Sequence, residues 1–218
     1  AEKSRRTRGS GGGSARRAKR GGYKLEFASF IERKIPNFEL LNNEAIEIIE
    51  MNAELVLQEV GVKFVDNPAA LKKWKDAGAD VQGELVRIPR GLARQLCETA
   101  PDKFTQYARN PERSVVIGGN SLVMAPVYGP PFVRDSQNGR RYAKLEDFEK
   151  FVKLGYMSQW LHHSGGTVCE PTDVPVNKRH LDMMYAHMSL TDKPFMGSVT
   201  HPERAEDTVA MAKILFGE

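Results

Sequence analysis

From Asn43 onward, Ala45, Ile48, Ile49, Asn52, Leu55, Val56 and Val60 recur at three- and four-residue spacing, which draws one largely apolar face along a helix. Asn42 or Asn43 is placed to cap its start, and Gly61 stands where a terminating glycine belongs. A second helix is predicted after Asn67, with Pro68 in its first turn, Leu71 and Trp74 facing inward and Gly78 closing it. Glu84–Ile88 reads as a strand and Leu92–Thr99 as a helix. Lys103–Ala108 and Ser114–Ile117 read as a hairpin turning at Asn110-Pro111.

Beyond Gly119 the pattern alternates. Leu122–Val127, Thr167–Cys169 and Phe195–Val199 are apolar runs of strand length. Each precedes a predicted helix: Leu145–Tyr156, with Phe148, Phe151 and Val152 on its buried side, then Lys178–Leu190, then Pro202–Phe216. Three strand–helix units with short connections indicate a parallel α/β fold. A closed barrel needs eight such units. The expected architecture is therefore a partial (β/α)8 TIM barrel, its first three βα units over residues 120–218, preceded by an N-terminal helical and β extension over 25–119. The chain is expected to be the front part of something larger, although Gly217 could cap the last helix and so give a natural end.

Charge divides the chain in the same way. The whole carries +4, but Lys3, Arg5, Arg6, Arg8, Arg16, Arg17, Lys19, Arg20 and Lys24 crowd residues 1–24 against Glu2 alone. The body beyond them is net acidic, which argues against a nucleic-acid-binding fold, whose basic stripe belongs on the folded surface. The tail, with its glycine and serine run from Gly9 to Ser14, reads as a flexible basic arm, either solvated or clipped onto an acidic neighbouring subunit. A transit peptide or nucleic-acid arm stays open beside these readings. No run approaches the roughly 20 apolar residues of a membrane span, and no apolar segment follows the basic start as in a secretory signal. Two cysteines, Cys97 and Cys169, make neither a disulfide framework nor a cysteine zinc site. A cytoplasmic protein is expected, with no membrane or nucleic-acid partner.

Two segments are distinctive. One is Ala125-Pro126-Val127-Tyr128-Gly129-Pro130-Pro131-Phe132-Val133; the other runs from His162 through Glu170 to Lys178 and continues past Met188 to Thr200. With the basic segment from Ser14 to Arg20, these strings resemble the trimethylamine methyltransferase family, most specifically over residues 125–210. The resemblance implies a (β/α)8 barrel behind an N-terminal extension, in a chain roughly twice this length. It implies transfer of a methyl group from trimethylamine, or from a quaternary amine such as glycine betaine, to the Co(I) of a separate corrinoid protein. Trimethylamine-specific members carry a pyrrolysine in the later barrel half, beyond these residues, and the choice between the two substrate groups stays open. No D-x-H-x-x-G string supplies a cobalt ligand here, so the corrinoid (cobalamin) is expected on the partner protein rather than bound directly. A homo-oligomer is also expected.

Active sites of such barrels gather at the C-terminal ends of the strands, which selects Tyr128, Glu170, Thr200 and His201. Tyr128 either offers a π face to an alkylammonium or forms an ordinary loop wall among prolines. Glu170 either neutralises substrate charge and anchors a polar network or serves as a helix-start carboxylate in a local salt bridge. Thr200-His201 follows the third strand. His201 either binds a betaine carboxylate or shuttles a proton, or it is an N-cap-region residue ahead of Pro202. His180 and His187 share one helix side, but Met184 stands where H-E-x-x-H needs a ligand, so zinc is disfavoured. His162-His163 either lines a cavity or is satisfied by backbone, and Met183, Met184 and Met188 read as core filler. The principal reading is a methyltransferase, inactive as these residues alone. The alternative is a non-catalytic fragment or structural subunit of a larger barrel assembly.

Overall fold

The computed structural model describes residues 28–36 and 38–217. The basic arm expected over residues 1–24 lies outside them. In chain order the elements are β1 (Ile31–Glu32), α1 (Asn43–Glu59), β2 (Val62–Lys63), α2 (Pro68–Asp76), β3 (Asp80–Gln82), β4 (Leu85–Arg87) and α3 (Leu92–Cys97). There follow β5 (Lys103–Gln106), β6 (Val115–Gly118), β7 (Ser121–Leu122), β8 (Phe132–Asp135), β9 (Gly139–Tyr142), α4 (Leu145–Met157), α5 (Arg179–Leu190) and α6 (Pro202–Phe216). Strands pair as β1 with β7, β2-β4-β3, β5 with β6 and β8 with β9, and none of these small sheets is closed. The described residues form two compact units: a smaller one within Arg33–Phe104 with Gly118–Asn120, and a larger one of residues 28–32, Thr105–Ile117 and 121–217.

In the smaller unit the cap signals act as the sequence predicts. The Asn42 side chain accepts from the Ala45 amide at 2.9 Å, and Asn67 accepts from Ala70 at 3.0 Å ahead of Pro68. Gly61, at φ 80°, lies so close to β4 that a Cβ would stand 2.5 Å from the Val86 oxygen. Val86 and Ile88 are buried with Leu57, Phe64, Leu71 and Trp74 around them. The orientation of α1 is a surprise. Leu57 enters the core, Glu54 accepts from the Gly91 amide at 3.1 Å, and Glu50 pairs with Arg94. The stripe of Ile48, Ile49, Val56 and Val60 consequently faces outward and is exposed. Carboxylates directed at α3 set the rotation of this helix, against its apolar periodicity.

The larger unit is built on α4 and α5, whose facing sides bury Phe148, Val152, Met183 and Ala186 with Val133, Ala143, Val168 and Cys169. Asp147 reaches back to accept from the Lys144 amide at 2.9 Å and so completes the start of α4. At the other end, the buried Lys193 ammonium donates to the oxygens of Gly155, Ser158 and Leu161 at 2.8, 2.8 and 2.6 Å. Arg109 donates to the Met188 and Thr191 oxygens at the end of α5. Both helix C-termini thus have their free carbonyls met by cations.

Of the three expected strands, Leu122–Val127 keeps only Leu122 in a ladder, with β1, Phe195–Val199 has none, and Thr167–Cys169 bends at Val168 and Cys169. Met124 oxygen accepts from the His162 and His163 amides, and Thr167 oxygen accepts from Gly129. Pro194 oxygen accepts from Ser164, and Gly165 oxygen from Met196. In each pair both segments advance in the same sense. Proline explains the missing ladder: Pro126, Pro130, Pro131, Pro171 and Pro194 have no amide to donate. Between the first segment and α4 the chain inserts the β8–β9 hairpin, which the sequence reading did not anticipate.

Candidate functional site

Tyr128 stands in the proline-bracketed stretch after the first extended segment. The Gly129 amide donates to Thr167 at 2.7 Å and fixes that stretch against the second segment. Opposite the ring, Gly165 adopts φ 91°, and a Cβ there would come 3.2 Å from Tyr128 Cε1. Glycine is required here for both conformation and clearance. The loop that carries Gly165 is tied to α5. The Ser164 hydroxyl donates to His187 Nδ1 at 2.9 Å, and His187 Nε2 donates to the Gly166 oxygen at 2.8 Å. Burial lowers the His187 pKa, so this ring is the neutral tautomer its partners require.

Tyr128 lines a cavity of about 370 Å³ together with Gln106, Leu122, Ala125, His163 and Met196. His163 Nδ1 accepts from the Gly165 amide at 2.8 Å, which leaves Nε2 to donate to Gln106 Oε1 at 3.2 Å. Gln106 is itself held by donating to the Phe195 oxygen at 3.0 Å. Burial, with His187 adding to it, pushes the His163 pKa down to about 4, and burial pushes the Tyr128 phenol up. Both side chains are neutral across the physiological range. The cavity wall therefore offers a π face, a thioether and neutral polar edges, a lining suited to a bulky, weakly hydrated cation.

Thr200 and His201 lie together elsewhere, in a cleft of about 340 Å³ at the start of α6 with His180, Arg204 and Asp207. Arg204 donates to Thr200 Oγ1 at 2.7 Å and to the Val176 oxygen at 3.2 Å. The buried His180 meets Asp207 through Nε2 at 2.8 Å. His201 occupies the N-cap position of α6 through its backbone, with its side chain exposed 3.9 Å from Glu203. Glu170 lines neither space; Arg179 pairs with it at 3.3 Å. The structure thus brings Thr200 and His201 together and places Tyr128 and Glu170 apart from them.

Gln106 and Met196 were not legible as cavity residues, because they come from distant parts of the chain. For His163 the signal was the paired histidines before Ser164-Gly165-Gly166. Backbone amides satisfy both rings, His162 accepting from Met124 at 2.9 Å, and only His163 also lines the cavity. His180 and His187, on one side of α5, hold separate partners. Cys169 is buried and its thiol is pushed up to about 12, so it is no nucleophile. No helix among the described residues is long and apolar enough to cross a membrane.

Comparison with known proteins agrees with the sequence motifs. A glycine betaine methyltransferase of Desulfitobacterium hafniense is 42% identical over 183 residues, covering 84% of this chain and 38% of the relative. A proline betaine:corrinoid methyltransferase of Eubacterium limosum is 31% identical over 160 residues, 72% of this chain and 32% of that one. A trimethylamine methyltransferase of D. hafniense shares 28% over 83 residues, 37% of this chain and 16% of its own. The chain thus spans little more than a third of the length of the most similar of these relatives. Residues 8–218 match the trimethylamine methyltransferase (MTTB) family, and the chain belongs to that family.

Proposed function

We propose that these residues belong to a methyltransferase that moves a methyl group from a quaternary amine, such as glycine betaine, to the Co(I) of a separate corrinoid protein. They form, in this reading, the extension and the first three βα units of a (β/α)8 barrel. The common direction of the three segments and their alternation with α4, α5 and α6 support that architecture. The names of the relatives support the chemistry.

The observation that carries the reading is the Tyr128 cavity. A quaternary ammonium cannot donate a hydrogen bond, so it is recognised by π faces and polarizable surface. When its C–N bond breaks, the electron pair stays on nitrogen and the amine leaves neutral, which is why a quaternary nitrogen is a competent donor. Neutral walls hold the cation without a fixed charge to stabilise the ground state alone. Thr200 and His201, with Arg204 beside them, lie in a cleft separate from the Tyr128 cavity and are not assigned to a substrate held there. The Arg179 pair takes Glu170 out of charge neutralisation.

The corrinoid enters as methyl acceptor on its own protein and supplies the nucleophile. A corrinoid carried by the partner is supported by the commitment of His162, His163, His180 and His187 to internal hydrogen bonds, and by the lack of a cobalt-ligand string around any of the five histidines. The test is methyl transfer by the complete enzyme to a reduced corrinoid protein, followed by absorbance, with glycine betaine, proline betaine and trimethylamine in turn. Turnover with a betaine is expected. Turnover with trimethylamine alone would overturn the substrate class, and turnover with none of the three would overturn the reaction.

A further inference from the structure

We propose that the outer face of the β8–β9 hairpin is the docking surface for an acidic face of the corrinoid protein, an inference that rests on the reaction proposed above. Register divides the hairpin into two faces. Val133 and Arg141 stand opposite each other on one, and Phe132 with Tyr142 and Arg134 with Arg140 on the other. The first face turns inward. Val133 is buried, and Arg141 is neutralised by Asp147 at 2.6 Å and Asp135 at 3.4 Å. The second carries two arginines directly opposite one another, both exposed, and neither forms an ion pair among the described residues.

Like charges placed directly across a strand pair destabilise it, so hairpin stability does not account for this pair. Arg140 is nonetheless held in place. The Arg140 guanidinium lies 3.9 Å from the Phe132 ring centre, and the Phe132 and Tyr142 rings are 4.6 Å apart. The result is a patch of two arginines and two aromatics, with Arg140 pre-ordered on the rings, and these are the side chains that dominate protein–protein hot spots. Its hairpin pairs with no other strand among the described residues, and β8 begins only four residues after Tyr128. In the barrel reading this insertion is the loop after the first strand, on the face where substrate and methyl acceptor must meet. Carboxylates on a protein are the favoured occupant, because bidentate pairing suits arginine and the net acidic body opposes a nucleic acid.

Binding is measured by interferometry between the complete enzyme and the cobalamin-loaded corrinoid protein of its own source organism, at about 50 and 300 mM salt, independently of turnover. Arg134→Glu with Arg140→Glu is expected to raise Kd at least tenfold and to flatten its salt dependence. Arg134→Gln with Arg140→Gln guards against a folding defect and is expected to give a smaller rise in the same direction. Lys153→Glu, a single charge reversal on the exposed side of α4 with half the charge change of the arginine pair, is expected to leave Kd in place. Unchanged Kd in the folded Glu and Gln pairs, an equal loss in Lys153→Glu, or no binding by the unmodified enzyme would each overturn the docking surface. So would binding of a single-stranded oligonucleotide through these arginines in place of the corrinoid protein. Intact, arginine-dependent binding without methyl transfer would uphold the surface and count against the proposed reaction alone.

Discussion

Arg141 holds Asp147 through two hydrogen bonds, 2.6 and 2.7 Å long, and thereby joins the β8–β9 hairpin to the first turn of α4. The Arg141 hydrogen bonds draw the Asp147 carboxyl down to about 2 from the ordinary 3.8, with burial opposing. A depressed carboxylate stabilises the fold fully above its unfolded pKa and loses that contribution as pH falls through the folded value. Asp147→Asn should therefore cost roughly 1–3 kcal/mol at neutral pH, in the range for hydrogen bonds to charged groups. Thermal unfolding of both proteins from roughly pH 6, above both pKa values, down to roughly pH 2 should show their difference shrinking as the pH drops below the ordinary 3.8. A gap independent of pH would refute the assignment.

The buried Lys193 donates to three carbonyl oxygens, that of the buried Gly155 and those of the half-buried Ser158 and Leu161. Lys193→Met keeps the length of the side chain and removes every donor. The expected loss is roughly 1–3 kcal/mol, since one buried and two half-buried acceptors lose their donor at once. Denaturant titration measures it, and amide exchange should quicken first around Gly155–Leu161, at the end of α4.

Tyr128 tests the cavity itself. If its ring forms one wall of an ammonium site, Tyr128→Ala in the complete enzyme should weaken substrate binding by roughly 0.5–2 kcal/mol, the span of cation–π contacts. Tyr128→Phe keeps the π face and should lose far less. Methyl transfer across substrate concentrations separates the two variants. Equal impairment would make the hydroxyl the recognition element, and unchanged kinetics in the alanine variant would return Tyr128 to an ordinary loop wall.

Gly165→Ala should impair the same cavity from behind. The new Cβ would stand 3.0 Å from Val168 Cγ1 and 3.2 Å from Tyr128 Cε1, at a φ of 91° that side chains rarely adopt. A stability loss of roughly 1–3 kcal/mol is expected from the backbone strain. A raised KM for the amine should accompany it, because the displaced ring is the wall. Gly166→Ala provides a comparison, since its Cβ would meet the Met196 oxygen at 3.3 Å and leave Tyr128 untouched.

The helices were legible because their signals are local. Asn42, Asn67, Pro68 and Pro202 mark starts that the structure keeps, and Gly61 and Gly217 stand just beyond ends. What escaped depends on partners remote in sequence. The apolar periodicity of α1 located the helix but not its rotation, which Glu50 and Glu54 decide through Arg94 and Gly91. The strands were read from apolar runs, and the prolines inside and beside those runs remove the donors that a ladder requires. The β8–β9 hairpin was missed because Arg134, Arg140 and Arg141 disrupt the expected alternation. Its turn residues Asn138-Gly139, with Asp135 accepting from the Asn138 amide at 2.6 Å, were the available signal. For the site, Tyr128 was visible among its prolines, whereas Gln106 joins it only through the folded chain.

The same prolines have a consequence for how the chain behaves in company. An extended segment with an open edge is a template on which another chain can add a strand, and such additions propagate into aggregates. Pro126, Pro130 and Pro131 interrupt the row of amide donors along the first segment, and Pro171 and Pro194 adjoin the other two. A strand arriving at any of these edges meets gaps where its carbonyls need partners. Apolar sequence can therefore stay extended here without becoming a seed.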